Sequence, residues 1–308
     1  MRGNLLLMAL FASAVALGQA GSAPTPQIAA AEAQTKSVGM IKEVVLGLFT
    51  DAPSQVEADR FYLGYHAPEV VRGSGPWLRR YESYMFLDPP ADAVERFGAT
   101  KGRYAELWYD SLDAYHSRPQ HLPFSIPSWE PKSSKIPKGG KYAVLVPALP
   151  TEEFHDPDPN PNETPILRWV TVMKYPEGVS QEEGEKWFLN VYAKEALKQP
   201  GLLKFVSYHC ISTKTAATGA LPATPTNSEN SNSEQRRVPP MDRQGGGWVR
   251  LNEYWYKDLA AWRMAVIESP PSYTPPPWGG KYPFVVMGST FIGYYPDVDF
   301  LKGGYKIP

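Results

Sequence analysis

The sequence contains two copies of one pattern, and this repeat constrains the fold more than any other feature does. Three blocks recur in the same order: Glu106–Tyr115 with Glu253–Trp262, Ser54–Glu69 with Ser180–Glu195, and Gly139–Tyr142 with Gly279–Tyr282. Five of the ten aligned positions in the first pair are identical. Because three collinear blocks rarely arise by chance, the repeat predicts a chain built from two copies of one structural unit.

Each copy shows the pattern of strand, helix, strand, strand, helix, strand. In the first copy, Lys42–Thr50 is an apolar strand-like run, and Ser54 followed by Glu57 is a capping-box pattern that starts a helix. That helix is predicted to end near His66, since Pro68 disfavours helical backbone in the residue before it. This element order is that of the ferredoxin-like unit. We therefore predict an α+β fold in which tandem ferredoxin-like units form an intramolecular, pseudo-dimeric α/β barrel.

The N-terminus has the pattern of a secretory signal peptide. Arg2 precedes the apolar run Leu5–Leu17, and small residues follow. Export to the periplasm or the exterior is therefore expected, with an uncleaved membrane anchor as the alternative. The predicted segments are a signal peptide at 1–23, a linker at 24–37, a first repeat at 38–162, and a second repeat at 163–308 with a low-complexity insertion at 213–247.

Composition excludes some classes of function. The formal net charge of −1 gives no support to nucleic-acid binding. The single cysteine, Cys210, excludes an intramolecular disulfide and a cysteine-based metal site, and the five histidines lack close metal-ligand spacing. We expect neither a metal nor an organic cofactor. The aromatic content of 13% fits either a large aromatic core or a pocket for a flat ligand.

Two short motifs resemble the EthD-like family. Tyr65–Val70 contains a histidine and a proline around a predicted helix end, and Ala105–Leu112 is a strand that ends in an acidic and aromatic segment. The resemblance covers each half from about Met40 onward. It implies an α/β barrel of two ferredoxin-like units, which is dimeric in most members and internal here. Members of this family include cofactor-free dehydratases, decarboxylases and cyclases that act on polycyclic or polyketide-like compounds, and the resemblance implies an activity of this kind. Other members have no known activity.

The resemblance makes His66 the leading catalytic candidate, because an imidazole can move protons near neutral pH. Tyr84 is a candidate hydrogen-bond donor to substrate, and Glu106 is a candidate base or an orienting group for His66. Each has a structural alternative: a helix-capping histidine, a core tyrosine and a solvated carboxylate. The second copy has Tyr192 where the first has His66, which predicts one catalytic site rather than two.

The predicted substrate-binding residues occupy matching or neighbouring positions of the two copies: Tyr62, Trp108, Tyr192, Tyr208, His209 and Trp255. Tyr208 and His209 are adjacent on a predicted strand, so only one of them can face a pocket.

These observations favour a cofactor-independent small-molecule enzyme that moves protons in an elimination, isomerisation or cyclisation of an apolar, aromatic compound. Two alternatives stay open: a non-catalytic protein that binds a hydrophobic ligand outside the cytoplasm, and an oxygen-using or haem-binding member of the same superfold. The expected partner is the small-molecule substrate, and a second copy of the chain, forming a homodimer, is a further candidate. We expect no nucleic-acid partner and no membrane span after signal cleavage.

Overall fold

A computed structural model describes residues 39–48, 54–118, 142–155, 159–211, 247–301 and 304–305. The predicted signal peptide, the linker and all but the last residue of the 213–247 insertion lie outside these ranges. Of the helices that the structure describes, none is long and apolar enough to cross a bilayer.

The first sheet is antiparallel and has the strand order of a ferredoxin-like unit. Its four main strands lie in the order β2-β3-β1-β4. They are β1 (Ile41–Leu48), β2 (Leu78–Tyr84), β3 (Arg103–Tyr109) and β4 (Tyr142–Pro147). If the two copies share one fold, the second sheet should have the same strand order.

The second sheet does repeat it. Strands β6 (Leu167–Lys174), β7 (Lys204–His209), β8 (Arg250–Tyr256) and β9 (Val286–Gly293) lie in the order β7-β8-β6-β9 and pair antiparallel. The α+β class and the ferredoxin-like order predicted from the repeat agree with this topology.

Each sheet is completed at one edge by a short strand from the other half of the chain. Strand β5 (Glu152–His155) follows the first four strands in sequence but pairs with β7 of the second sheet. Strand β10 (Val298–Asp299) follows β9 but pairs with β2 of the first sheet, and β11 (Gly304–Tyr305) pairs with β10. The two halves are therefore interlocked, and Val38–Pro308 forms one compact unit.

A buried arginine holds β7 to its neighbours. The Nε of Arg250 donates to Glu185 Oε1 at 3.0 Å, and its Nη2 donates to Glu152 Oε1 of β5 at 3.2 Å. Its Nη1 donates to Ser207 Oγ of β7 at 2.8 Å. The guanidinium thus joins a helix, the sheet and the exchanged strand.

The first half has the same arrangement around Arg103. Its Nε donates to Asp59 Oδ1 at 2.7 Å, and its Nη1 donates to Ser83 Oγ at 3.0 Å and to Asp297 Oδ2 at 2.6 Å. Asp297 immediately precedes β10. The repeat therefore extends to the side chains that fasten the exchanged strands.

The long helix of each half contains a π-helical turn at the same aligned position. In the first half, α1 (Gln55–Phe61) continues through the π turn Tyr62–His66 into α2 (Ala67–Ser74). In the second half, α5 (Gln181–Trp187) continues through the π turn Phe188–Tyr192 into α6 (Ala193–Ala196). The remaining helices are α3 (Ala91–Phe97), α4 (Leu112–Ser117) and α7 (Leu259–Arg263), the last followed by the π turn Met264–Glu268.

The prediction that the first helix ends near His66 is wrong. The Ala67 N–H bonds to the carbonyl of Tyr62, five residues back, so the hydrogen-bond spacing has already widened when the chain reaches Pro68. A proline, which lacks an N–H, is better tolerated near the start of a helical segment than in a regular helix interior. The helix therefore runs on to Ser74.

The third block of the predicted repeat is also misaligned. Val144 of β4 pairs with Val44 of β1, and Thr290 of β9 pairs with Val170, the residue of β6 that matches Val44 in the repeat. Tyr142 therefore corresponds to Gly288 rather than to Tyr282. A Cβ on Gly288 would come within 2.3 Å of the Tyr142 ring, which explains the glycine. Strand β9, which follows this block in the second half, begins only at Val286.

Three apolar clusters define the layers. One packs helices α1, α2 and α4 on the first sheet, another packs the helices of the second half together with α3 of the first half on the second sheet, and the third lies between the sheets. The third includes Val44 and Val146 from the first sheet and Val170 and Val206 from the second. The described strands form two sheets that face each other. Backbone contacts join their edges at Phe86 with Ile292 and at the Ile211 N–H with the Leu145 carbonyl, but in the described part of the chain no continuous strand ladder closes the pseudo-dimeric barrel predicted from the sequence.

Candidate functional site

Four charged side chains from both sheets meet between the layers. They are Lys42 on β1, Glu106 on β3, Arg168 on β6 and Glu253 on β8, and we call them the charged tetrad. Lys42 and Arg168 occupy matching positions near the starts of β1 and β6, and the two glutamates occupy matching positions in the repeat. Since side chains alternate along a strand, these positions share the faces that the sheets turn towards each other.

The tetrad is a closed arrangement of ion pairs. Lys42 Nζ lies 3.4 Å from Glu106 Oε1 and 3.8 Å from Glu253 Oε1. Arg168 Nη2 lies 3.4 Å from Glu106 Oε1 and 3.1 Å from Glu253 Oε2. The Tyr104 hydroxyl donates to Glu106 Oε1 at 2.7 Å. All four charged side chains are more than nine-tenths buried, so their charges are compensated mainly by one another.

Mutual attraction within the tetrad holds Lys42 and Glu106 in their charged forms. Burial alone would lower the pKa of Lys42, but attraction by Glu106, Tyr208 and Glu253 outweighs burial and raises it. Burial alone would raise the pKa of Glu106, but Lys42 and Arg168 outweigh burial and lower it. Glu106 is therefore a carboxylate, and Lys42 an ammonium, at neutral pH.

Aromatic rings surround the tetrad. Lys42 Nζ lies 4.3 Å from the centre of the Tyr208 ring, and the Arg168 guanidinium lies 5.1 Å from that of Tyr84. Burial and the nearby Glu106 raise the pKa of the Tyr84 hydroxyl well above its usual value, so it stays protonated.

A cation also covers one tryptophan on each sheet. The Arg80 guanidinium lies 4.6 Å from the Trp108 ring centre, and Lys204 Nζ lies 4.9 Å from that of Trp255. These contacts occupy matching positions, so the two-fold pattern of the chain extends to the aromatic walls.

A cavity of about 390 Å³ opens beside the tetrad. All four tetrad residues line it, together with Arg80, Glu82, Tyr84, Tyr208, Trp255, Asp299 and the segment Tyr294–Pro296. Its walls combine aromatic faces with carboxylates and cations. The cavity is therefore polar as well as aromatic.

The structure brings five of the predicted site residues to this region. Tyr84, Glu106, Tyr208 and Trp255 line the cavity. Trp108 shares the inner face, with its ring centre 5.8 Å from Lys42 Nζ. Strand alternation accounts for Glu106 and Trp108 sharing one face of their strand.

The other predicted residues lie on the helix-facing side of the sheets. Tyr62 donates a hydrogen bond to the Tyr81 hydroxyl at 3.0 Å, and the His66 ring stacks on Tyr62 at 5.8 Å. Tyr192 lies 3.4 Å from the Tyr254 hydroxyl in the helix layer of the second half. The structure therefore does not bring His66 to Glu106 or Tyr84, and its catalytic role stays a prediction.

His209 likewise faces a helix. Its Nε2 lies 3.0 Å from Gln181 Nε2 and 3.9 Å from Glu185 Oε2, both on α5. Burial outweighs the attraction of Glu185 and lowers its pKa. Tyr208, its neighbour, is thus the one of the two that faces the cavity.

The sequence reasoning missed Lys42, Arg168, Arg80 and Glu82. A signal was present, because Lys42 and Arg168 are cations inside apolar strands at the same repeat position. A cation in a buried strand requires a buried partner, and the glutamates of the repeat supply it.

Metal binding finds no support in the described part of the chain, where no group of three or more His, Cys, Asp or Glu side chains could hold an ion. Burial raises the pKa of the Cys210 thiol, which disfavours the thiolate needed for metal binding or nucleophilic attack.

Comparison with known proteins finds similarity to solved structures, of which two are named below. No protein-family model matches the sequence, and no curated protein matches it. An anthrone oxidase-like protein aligns with 84% of this chain and 92% of its own at 9% identity and a TM-score of 0.42. A "Putative monooxygenase" from Fusobacterium nucleatum aligns with 85% of this chain and 97% of its own at 9% identity and a TM-score of 0.34. With TM-scores below 0.5, the function must be argued from this chain's own residues.

Proposed function

We propose that this protein is a small-molecule enzyme of the dimeric α/β-barrel type, with two EthD-like units fused in one chain and the active site in the cavity between the sheets. The matching strand orders, the matching π turns and the exchanged edge strands support the fused arrangement. The predicted signal peptide supports export, which would place the substrate outside the cytoplasm.

The reaction that the cavity favours is proton transfer on an aromatic compound that carries an acidic C–H or O–H group. The observation that carries this proposal is the pair of buried glutamates facing a lysine and an arginine in a cavity with aromatic walls. A carboxylate, Glu106 or Glu253, takes the proton, and the electron pair moves onto the substrate oxygen. Lys42 and Arg168 stabilise that negative charge, as preorganised cations do in a site shielded from water.

The completed reaction depends on where the electron pair goes next. Return of the proton at another atom gives isomerisation, and departure of a leaving group gives elimination. Because its pKa is lowered, Glu106 is a weak base, so the substrate must be activated by an adjacent aromatic ring or carbonyl.

Deuterium exchange tests the proposal without knowledge of the natural substrate. The probe is 2-tetralone, an aromatic ketone with acidic C–H bonds, incubated with the protein in D₂O and followed by NMR. We expect the protein to accelerate exchange and Glu106→Gln to reduce that acceleration by about 10²–10⁴-fold, the usual contribution of a general base. Asp110→Asn, which alters an exposed ion pair with Arg79, is the matched control and should retain exchange.

The same samples decide between the alternatives. Oxygen uptake without exchange would favour an oxygen-using enzyme, and a haem absorption band in the purified protein would favour a haem protein. Binding of 2-tetralone with no exchange and no oxygen uptake would overturn the enzyme proposal in favour of a binding protein.

A further inference from the structure

The cavity is bordered by one carboxylate, that of Glu82, which has no chemical equivalent in the other half. Strand β2 supplies Glu82 and Tyr84, whereas the matching positions of β7 are Val206 and Tyr208. Glu82 is 3% exposed and lines the cavity. The two tyrosines therefore match in position but differ in the neighbour that can accept a hydrogen bond.

Glu82 fixes the direction of the hydrogen bond that Tyr84 makes. The Tyr84 hydroxyl donates to Glu82 Oε2 at 3.0 Å, and Arg80 donates to the other oxygen of the same carboxylate. A hydroxyl has one hydrogen and two acceptor lone pairs. Since the hydrogen is committed to Glu82, the Tyr84 oxygen can only accept from a bound molecule. Val206 offers no such acceptor to Tyr208.

The charges around the cavity also favour a ligand that donates hydrogen bonds. The lining contains four carboxylates and three cations: Glu82, Glu106, Glu253 and Asp299 against Lys42, Arg80 and Arg168. Each cation already contacts a carboxylate of the lining. A ligand anion would therefore meet cations whose charge the lining carboxylates already offset.

The carboxylate of Glu253 has acceptor capacity to spare. Its Oε2 accepts from Arg168 and from Trp255 Nε1, at 3.1 and 3.3 Å. Its Oε1 is buried and, among the described residues, has no hydrogen-bond donor within reach, with Lys42 at 3.8 Å. A hydrogen bond from a ligand to this buried oxygen stabilises the complex, because it removes the cost of an unsatisfied buried acceptor.

We propose that the Glu82–Tyr84 pair makes the cavity selective for neutral aromatic molecules with an O–H donor, such as phenols, over aromatic carboxylates and over ethers of the same shape. This inference rests on the proposed function only in placing an aromatic ligand in this cavity. Glu82 acts through Tyr84 and is a positioning residue.

Equilibrium dialysis at pH 7 with three naphthalene probes tests the inference. The probes are 2-naphthol, 2-methoxynaphthalene and 2-naphthoate. One hydrogen bond contributes about 0.5–1.5 kcal/mol, so 2-naphthol should bind about 2- to 10-fold more tightly than 2-methoxynaphthalene. The anionic 2-naphthoate should bind most weakly.

Three variants locate the source of the preference. Glu82→Gln can present an N–H to the Tyr84 oxygen and release its hydrogen, so the preference for naphthol over the ether should disappear. Glu82→Val, which introduces the residue that β7 carries at this position, removes the acceptor of the Tyr84 hydrogen and should have the same effect, which keeps the test valid if Glu82→Gln does not fold. Tyr81→Phe removes a buried hydroxyl from the same strand on the helix-facing side and should keep the preference.

The outcomes separate this inference from the proposed function. Binding of all three probes with equal affinity, tightest binding of 2-naphthoate, or an unchanged preference in Glu82→Val would overturn the selectivity while leaving the cavity as an aromatic site. Failure of the wild-type protein to bind any naphthalene probe would overturn both.

Discussion

Replacing Glu106 by glutamine should destabilise the fold chiefly by leaving buried positive charge uncompensated. Glu106 Oε1 lies 3.4 Å from both Lys42 Nζ and Arg168 Nη2. At an effective dielectric constant of about 20, each contact corresponds to a gross attraction of about 5 kcal/mol. Desolvation of the three groups and repulsion by Glu253 offset most of this sum. Removal of one partner from a buried ion pair costs about 3–5 kcal/mol, which is the expected loss in unfolding free energy.

A double variant distinguishes charge from shape. Combining Glu106→Gln with Lys42→Met restores neutrality, because Arg168 keeps Glu253 at 3.1 Å. Replacement of a whole buried pair is often close to neutral, so the double variant should lie within about 2 kcal/mol of the wild type. Urea unfolding followed by tryptophan fluorescence gives the three free energies. A double variant that is less stable than Glu106→Gln alone would refute the charge argument.

Acid provides an independent check on Glu106. Because the folded state lowers the pKa of Glu106, its ionised form contributes stability above the ordinary glutamate pKa of about 4.3, and this contribution is lost as the pH falls through the folded-state value. The difference in stability between wild type and Glu106→Gln should therefore shrink below about pH 4. A difference that stays constant from pH 7 to pH 3 would mean that the carboxylate charge is not its source.

Two further predictions concern the exchanged edge and the helix-side histidine. Arg250→Met should lower the unfolding free energy by about 3 kcal/mol in urea titrations. The reason is that the partly buried carboxylates of Glu152 and Glu185 would face each other without the arginine between them. A loss below about 1 kcal/mol would show that the arginine does not hold β5 to the second sheet. His66→Ala tests the alternative that this histidine is the acid–base: a loss of turnover of about 10²–10⁴-fold at an unchanged melting temperature would support that role, and near-normal turnover would leave the cavity glutamates as the bases. Tyr192→Phe should alter only binding or stability.

Much of the fold could be predicted from the sequence, because the repeat is a property of the chain itself. Two copies of one strand and helix order lead directly to two sheets of one topology. The exchanged strands could not be predicted in this way. Strand β10 has two residues and β5 has four, so neither carries a pattern long enough to recognise. Their pairing partners lie far away in sequence.

The candidate site was predictable in part for a similar reason. Alternation along a strand shows which side chains share a face, and so it places Glu106 with Trp108 and Glu253 with Trp255. It does not show which face the helices cover. His66 was assigned to the site from the family resemblance and from a helix end that the structure does not have. Lys42 was missed because a charge near a strand start is usually exposed to solvent.

The exchange of edge strands also makes the two sheets unequal during synthesis. A ribosome completes β5 before β7 emerges, so the edge of the second sheet has its partner available at once. Strand β2 has to wait for Val298–Asp299, which are made more than 200 residues later. An unpaired edge exposes N–H and C=O groups that other chains can bind. A nascent or C-terminally shortened chain therefore leaves the first sheet, rather than the second, open to association with its neighbours.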